Sequence, residues 1–157
     1  MSLEYNKELA RRYFEAFQTG NGAIYDEILA ESFTVHTRRD HGKERPIGES
    51  GPSLFKRLVA NRDSGFSNSL LTVDEIVAEG DRMIVAWTFS GLHSGIYAGV
   101  PATGKRIVYR GVNSFQVADG KLLVSWDLKD SLFLFQQLGA LPSTPEILAN
   151  ARQGKPD

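Results

Sequence analysis

The stretch "GVNSFQVADGKLLVSWDLKD" (residues 111–130) decides the fold, because it holds two apolar β-like segments joined by the turn "ADGK". An Asp-Gly pair between two such segments is a strong signal for a β-hairpin. The second segment places Asp127 directly after Trp126. Burying a carboxylate without a partner is costly, so Asp127 is either a candidate functional group or an exposed carboxylate near the end of a strand.

Two further segments upstream of this hairpin alternate between apolar and polar residues, as half-buried strands do. They are "SLLTVDEIVAEG" (69–80) and "DRMIVAWTFSGLHSG" (81–95), and the loop "IYAGVPATGK" (96–105) follows them. Helical periodicity predicts helices over residues 3–19, 22–30, 52–63 and 131–141. Helices followed by hairpin-linked strands are typical of an α+β fold, with helices on one face of a curved antiparallel sheet.

The remaining segments are shorter or more polar. Residues 32–37 form a short β-like run, and residues 38–52 are rich in charge, Gly and Pro, which predicts a loop. The tail 143–157 is predicted to add one helical turn and then fray. Of the histidines, His41 lies in the charged loop and receives no predicted role.

The composition sets limits on partners and location. The chain has 157 residues, no cysteine and a formal net charge of −1. This length predicts a single domain over residues 1–157, with its core at about residues 4–142. The lack of cysteine excludes disulfides, a thiolate nucleophile and a cysteine-based zinc site. The balanced charge favours neither a nucleic-acid nor a membrane partner, and the absence of a signal-like segment predicts a cytoplasmic protein.

The alternation of apolar and polar residues shows which face points toward the helices more clearly for the first strand of the hairpin than for the second. In the first strand the more apolar face is expected to meet the helices, and it contains Ile107, Tyr109, Gly111, Asn113, Phe115 and Val117. Asn113 is either a hydrogen-bonded core amide or part of a site. In the second strand, Asp127 and Ser125 alternate with Trp126, but both sides contain apolar residues. Alternation therefore does not decide which way Asp127 points.

Two histidines are candidates of intermediate strength. His93 ends a strand on the same predicted face as Trp87 and Phe89, and His36 lies in the short apolar run between Val35 and Thr37. For both, a hydrogen-bonded and partly buried histidine is the alternative to a role in a site. No HExxH, GxGxxG, Walker or GxSxG pattern is present, so neither a covalent mechanism nor a tightly held metal is indicated.

Taken together, several segments resemble the SnoaL-like polyketide cyclase (ester cyclase) family, a branch of the nuclear transport factor 2-like superfamily. The segments are "ELARRYFEAFQTG", "ESFTVH", "VAEGDRMIVAWTFSGLHSGIYAGVPATGKRI", "GVNSFQVADGKLLVSWDLKD" and "LFQQLGAL". The resemblance implies a cone-shaped, cystatin-like α+β barrel in which three N-terminal helices close a curved antiparallel sheet around an apolar pocket. It also implies intramolecular aldol ring closure without a metal or cofactor.

The resemblance assigns roles to residues of this chain. The acid/base group of typical members is an Asp directly after a Trp, which here is Asp127 after Trp126. Typical members carry a His where this chain has Asn113. They often have an aromatic residue where this chain has Lys129. The Lys129 ammonium is expected either to form an ion pair with Asp127 or to leave the carboxylate unpaired. The catalytic candidates are Asp127, Asn113, His36 and His93. The substrate-binding candidates are Tyr13, Phe14, Phe17, Trp87, Phe89, Tyr109 and Phe115.

The expected function is therefore that of a cyclase, isomerase or hydrolase that acts on a small hydrophobic carbonyl compound through acid/base chemistry at Asp127. The alternative is a catalytically silent binding protein that uses the same pocket. The expected assembly is a homodimer or tetramer joined through the outer face of the sheet, because that face keeps several apolar residues. Those residues are Ile84, Leu92, Val108, Val112, Val124 and Trp126.

Overall fold

The computed structural model describes residues 2–38, 44–46 and 51–153, and within these residues it contains five helices and six strands. The helices are α1 (Leu3–Thr19), α2 (Ile24–Ile28), α3 (Gly51–Ala60), α4 (Ser131–Leu138) and α5 (Thr144–Gln153). The strands are β1 (Leu29–Arg38), β2 (Glu44–Pro46), β3 (Phe66–Glu79), β4 (Arg82–His93), β5 (Arg106–Ala118) and β6 (Lys121–Lys129). The fold is α+β, as predicted, and its first three helices lie within a few residues of their predicted positions.

One sheet contains all six of these strands in the order β2-β1-β6-β5-β4-β3. From β3 to β6, each strand pairs antiparallel with the next one along the chain, as the hairpin signals predicted. The first strand differs, because β1 pairs with β6 in parallel. The predicted loop over residues 38–52 lies mostly outside the described residues, as does His41, but residues 44–46 form β2 instead of a loop.

Helix α1 covers the inner face of the sheet and supplies much of the apolar core. It begins where the Ser2 hydroxyl accepts a hydrogen bond from the Tyr5 amide, and it ends at Gly20, whose φ of 76° a glycine adopts without strain. Its buried stripe includes Leu9, Tyr13 and Phe14. The helix therefore presents two aromatic rings to the strands that form the site.

The two faces of the sheet are clearly distinguished on β4 and β5. On β5 the residues predicted to face the helices are buried, and Ile107 and Phe115 have no exposed surface. On the opposite face Val108 remains 45% exposed. The same alternation holds on β4, where Trp87 and Phe89 are buried. The prediction that these faces point toward the helices is confirmed.

Strand β6 contains an irregularity that simple alternation could not reveal. Its register with β5 shifts, since Gln116 pairs with Val124 whereas Val117 pairs with Leu122, which leaves Leu123 as the extra residue. A bulge of this kind reverses which residues face inward on its two sides. Leu122 is consequently buried on the same inner face as Ser125, although the two are an odd number of residues apart.

The end of the described chain is more helical than predicted. Instead of a single turn, α5 runs for 10 residues, and residues 144–152 are all exposed. Its first turn is capped by Ser143 and Glu146, since both the amide and the hydroxyl of Ser143 donate hydrogen bonds to the Glu146 carboxylate. Among the described residues, no helix has the length and hydropathy needed to cross a membrane.

Candidate active site

A cavity of about 310 Å³ opens between the N-terminal helices and the inner face of the sheet. Six of the seven predicted substrate-binding residues line it, namely Tyr13, Phe14, Phe17, Trp87, Phe89 and Tyr109. Further apolar lining comes from Tyr25, Val35, Phe55, Leu58, Val59 and Leu71. The polar lining residues within the described chain are Asn113, Asp127 and Lys129. An aromatic wall with few polar groups suits a flat or ring-containing apolar ligand.

Asp127 points into this cavity from β6, and one of its two carboxylate oxygens is firmly held. The Asn113 side-chain amide and the Ser125 hydroxyl each donate a hydrogen bond to Asp127 Oδ1, both at 2.5 Å. Within the described residues, Oδ2 accepts no side-chain or backbone hydrogen bond of this kind. One oxygen thus fixes the carboxylate while the other is available to a ligand.

Asn113 lies at the centre of the polar end of the cavity and is 4% exposed. Its Oδ1 accepts a hydrogen bond from the Trp87 indole at 2.7 Å, and its Nδ2 donates to both Asp127 Oδ1 and Ser125 Oγ. Both N–H groups of the amide are therefore used within the protein, and its oxygen accepts one hydrogen bond. Asn113 is suited to orienting Asp127 and has no free N–H for a substrate oxygen.

Burial raises the pKa of Asp127 above its ordinary value of 3.8. Hydrogen bonds from Ser125 and Asn113 and the positive charge of Lys129 act in the opposite direction, but burial has the largest effect. A carboxylate that is harder to ionise holds a proton more tightly once it has taken one, so it is a stronger base than a free Asp. The environment thus improves the match between Asp127 and proton transfer near neutral pH.

The Tyr13 hydroxyl is one of the cavity's donors that have no hydrogen-bond partner among the described residues, as is the Tyr109 hydroxyl. Burial, followed by the nearby negative charge of Asp127, raises the pKa of Tyr13 well above 10.0, so its hydroxyl keeps its proton. No hydrogen bond of this hydroxyl occurs among the described residues, whereas the neighbouring Tyr25 hydroxyl donates to the Tyr13 backbone carbonyl at 3.2 Å. Tyr13 is therefore able to donate a hydrogen bond to a ligand beside Asp127.

Lys129 also lines the cavity but does not form the ion pair with Asp127 that the sequence left open. No contact of 4.0 Å or less joins the two charged groups, although the ammonium is near enough to lower the pKa of Asp127. The carboxylate is turned toward Asn113 and Ser125 instead. Asp127 is thus not neutralised by its neighbour two residues along the strand.

A glycine makes room for the indole that holds Asn113. Gly111 lies opposite Trp87 in the β4–β5 register, and a Cβ atom at this position would approach Trp87 Cζ2 to 2.1 Å. Such a distance is impossible without movement, so the lack of a side chain at residue 111 is what lets the indole lie across β5.

His36 does not lie in the cavity, and the prediction that it points there is wrong. It pairs with Trp126 in the β1–β6 register, and the two rings stack with centroids 5.4 Å apart. Since Trp126 alternates with the inward-facing Ser125, this stack lies on the outer face of the sheet. The alternation of the run carried the signal, because Phe33 and Val35 are the buried residues and His36 lies on the opposite face.

His93 faces inward, as predicted, but it is not among the residues that line the cavity. Its Nδ1 accepts a hydrogen bond from the Thr103 amide at 3.2 Å, and its ring packs on Phe66. The alternation of residues along β4 predicted the correct face of the sheet for His93. It did not show that His93 lies at the end of the strand, away from the cavity. Its observed contacts fasten the loop after β4 to the core.

Phe115 is likewise behind the cavity wall, because it is fully buried and packs edge-to-face on Tyr13 with ring centroids 5.0 Å apart. It supports a lining residue without being one. Ser125, which holds Asp127, was not predicted, nor were six apolar lining residues, of which Phe55 is one. Ser125 could have been found from its i, i+2 spacing to Asp127, and Phe55 from the apolar stripe of its helix. Among the described residues, no group of three or more His, Asp or Glu side chains is arranged to hold a metal ion.

Comparisons with known proteins bear on the whole of this arrangement. A family model described as SnoaL-like polyketide cyclase matches residues 7–138. Aklanonic acid methyl ester cyclase DauD of Streptomyces sp. (strain C5) is 29% identical over 141 residues, covering 88% of this chain and 84% of its own length. Nogalonic acid methyl ester cyclase of Streptomyces nogalater is 26% identical over 125 residues. This match covers 79% of this chain and 90% of the length of the relative.

A solved structure with a similar fold agrees with these sequence matches. TsrD from Streptomyces laurentii superimposes with a TM-score of 0.78 at 28% identity, covering 90% of this chain and 99% of that one. The match spans both the helices and the sheet strands that form the cavity.

Proposed function

This chain belongs to the SnoaL-like polyketide cyclase family, and we propose that it closes a ring in a polyketide-like carbonyl compound by acid/base catalysis at Asp127. The observation that carries the proposal is the carboxylate itself. One oxygen of Asp127 is anchored by Asn113 and Ser125, and the other is free at the wall of an aromatic cavity.

The proposed reaction is an intramolecular aldol addition. Asp127 Oδ2 takes a proton from a carbon next to a carbonyl group, and the electron pair of the broken C–H bond moves onto the carbonyl oxygen as an enolate. The enolate carbon then forms a bond to a second carbonyl carbon of the same molecule. That second carbonyl oxygen becomes an alkoxide and takes the proton back from Asp127. The product is an isomer of the substrate, and no step needs a metal or a redox cofactor.

Tyr13 is the proposed donor to the enolate oxygen. Its neutral hydroxyl lines the cavity near Asp127 and has no hydrogen-bond partner among the described residues. A preorganised donor to such an oxygen is worth roughly 10²–10³-fold in rate. Asn113 takes a positioning role in this scheme, because its amide orients Asp127 and has no hydrogen left for the substrate.

General acid/base catalysis contributes typically ~10²–10⁴-fold to a rate. The rest of the acceleration must come from holding a flexible chain folded, with the two reacting carbons in contact. The aromatic lining is suited to this task, since it encloses apolar ligand surface and excludes water from the enolate.

The alternative function is a small-molecule binding protein that does no chemistry. It is favoured by one observation, which is that the hydrogen-bonding groups of Asn113 are all engaged within the protein. On this interpretation Asp127 only fixes the polar end of the cavity. Both functions use the same cavity and the same class of ligand.

Turnover separates the two functions. The purified protein is incubated with aklanonic acid methyl ester and with nogalonic acid methyl ester, and products of unchanged mass but altered retention are sought by liquid chromatography and mass spectrometry. The proposal expects such an isomer with the wild type and at least ~10²-fold less with Asp127→Asn. Binding of either ester without an isomer, or equal turnover by the variant, would favour the binding protein.

A further inference from the structure

The mouth of the cavity carries a positive charge that the proposed reaction does not use. Among the described residues that line the cavity, Lys129 is the only cation. It shares the inner face of β6 with Ser125 and Asp127 at intervals of two residues, and it pairs with Gly111, which has no side chain to cover it. The ammonium is exposed to solvent at the end of the strand.

Lys129 has no ion-pair partner within the described part of the chain. No carboxylate lies within 4.0 Å of its Nζ, including that of Asp127. Lys129 also borders a second groove, whose lining includes the acidic residues Asp74, Glu75 and Asp130. Within the described residues none of these three forms an ion pair with it. The ammonium thus remains available to a ligand that fills the cavity.

We infer that Lys129 selects a ligand bearing a carboxylate, which lies at the cavity mouth while the apolar rings of the ligand occupy the interior. This inference rests on the proposed function, because it narrows the substrate class of the same cavity. A free acid is expected to bind more tightly than neutral methyl esters such as those used to test turnover. Two residues along a strand span ~6.6 Å, so the carboxylate would lie about one ring width from the group that meets Asp127. The long, flexible lysine stem allows some variation in that distance.

The neighbouring Asp127 does not cancel this selectivity. Its carboxylate is turned toward the Asn113 and Ser125 donors, and no contact of 4.0 Å or less joins it to the Lys129 ammonium. A bound ligand also displaces water from the mouth, which strengthens an ion pair relative to one between fully exposed groups. The expected preference is about three- to tenfold, above that of a typical exposed pair.

Anthraquinone-2-carboxylic acid and its methyl ester form a matched pair of probes, because they differ in charge while sharing one flat, carbonyl-bearing ring system. Their affinities are measured by isothermal titration calorimetry at about neutral pH. The wild type should bind the acid about three- to tenfold more tightly than the ester, and added salt should reduce this preference. Lys129→Met removes the charge at similar length and should weaken only the acid.

The control variant is Lys121→Met, at the other end of the same strand, where the ammonium donates to the Asp26 backbone carbonyl. It should keep the full preference for the acid. Equal binding of acid and ester by the wild type, or an undiminished preference in Lys129→Met, would overturn the role of Lys129 and leave the proposed function standing. Failure of both probes to bind would instead overturn the aromatic ligand cavity on which both proposals rest.

Discussion

The indole N–H of Trp87 donates a 2.7 Å hydrogen bond to Asn113 Oδ1 between the neighbouring strands β4 and β5. This bond decides which way the Asn113 amide is turned, because an oxygen facing the indole leaves the amide nitrogen facing Asp127. The nitrogen then donates to the carboxylate at 2.5 Å. An aromatic residue two strands from Asp127 therefore controls the donor that holds it.

Replacing Trp87 with Phe should destabilise the protein and alter its pH dependence. Phe cannot donate, so Asn113 Oδ1 is left buried without a partner, at a cost of about 1–3 kcal/mol. The amide is then free to turn its oxygen toward Asp127, which would raise the pKa of that carboxyl further. Urea unfolding and a pH–rate profile measure the two effects. Trp126→Phe, on the outer face, should move neither the profile nor the affinity for ligand.

Gly111→Ala should disturb the same hydrogen bond from the other side. The new methyl group would lie 2.1 Å from Trp87 Cζ2, so the indole must move away from Asn113. Overpacking of this kind costs typically about 1–3 kcal/mol. The double variant Gly111→Ala with Trp87→Phe should lose less stability than the sum of the two single changes, because the smaller ring leaves room for the methyl group. Strict additivity in urea unfolding would show that the methyl group and the indole do not compete.

Much of this site was predictable because its residues lie on regular strands. Alternation alone placed Trp87, Phe89, Tyr109 and Asn113 on the inner face. It did not decide the direction of Asp127, because the bulge at Leu123 changes the alternation just before it. Only the resemblance to a family pointed Asp127 inward.

The wrong and missed predictions have similar local causes. His36 was placed in the cavity although it alternates with the buried Val35, and parallel pairing of β1 with β6 puts it beside Trp126 on the outer face. The length of α5 was missed because the tail 143–157 was expected to fray after one helical turn. The sequence "STPE" at the start of this tail is a capping box, with Ser143 and Glu146 at its two ends.

The stability of the protein should depend on pH through Asp127. Burial raises the pKa of this carboxyl in the folded state, so its contribution to stability is full below the unfolded pKa and is lost as pH rises through the folded pKa. Asp127→Asn does not titrate and keeps an acceptor for Asn113 and Ser125. The variant should therefore gain stability relative to the wild type between about pH 4 and neutral.

Urea unfolding of both proteins across this pH range tests the sign. If the free energy of unfolding of the variant instead falls relative to that of the wild type as pH rises, Lys129 and the two donors stabilise the carboxylate more than burial destabilises it. Asp127 would then be a structural anion instead of a base with a raised pKa.

The outer face of the sheet is proposed to join two or more copies of the chain. Ile84 and Val108 are each 45% exposed and Leu128 is 67% exposed on this face. Apolar residues grouped in this way are uncommon on a monomer. Light scattering at micromolar concentration should give at least twice the chain mass of 17.4 kDa. Val108→Lys should reduce that mass, and a wild-type particle of one chain mass would rule the assembly out.

Tyr13→Phe should separate catalysis from stability. The Tyr13 hydroxyl has no hydrogen-bond partner among the described residues, so its removal leaves no group unsatisfied and should change the free energy of unfolding little. If this hydroxyl donates to the enolate, kcat should fall by roughly 10²–10³-fold, because the donor matters most when charge develops on the oxygen. The KM should change less than kcat, since a ground-state carbonyl gains less from the same hydrogen bond.

Tyr25→Phe is the matched control, since it removes the same atom from a buried tyrosine of the same cavity. The Tyr25 hydroxyl donates to the Tyr13 backbone carbonyl at 3.2 Å, so its loss should cost about 1 kcal/mol of stability. Its effect on kcat should be small, because this hydroxyl is already engaged. Tyr13→Phe is thus expected to lower kcat with little change in the free energy of unfolding, whereas Tyr25→Phe is expected to lower the free energy of unfolding with little change in kcat. If Tyr13→Phe instead loses stability while kcat is unchanged, the hydroxyl has a structural role and the enolate donor must be another group.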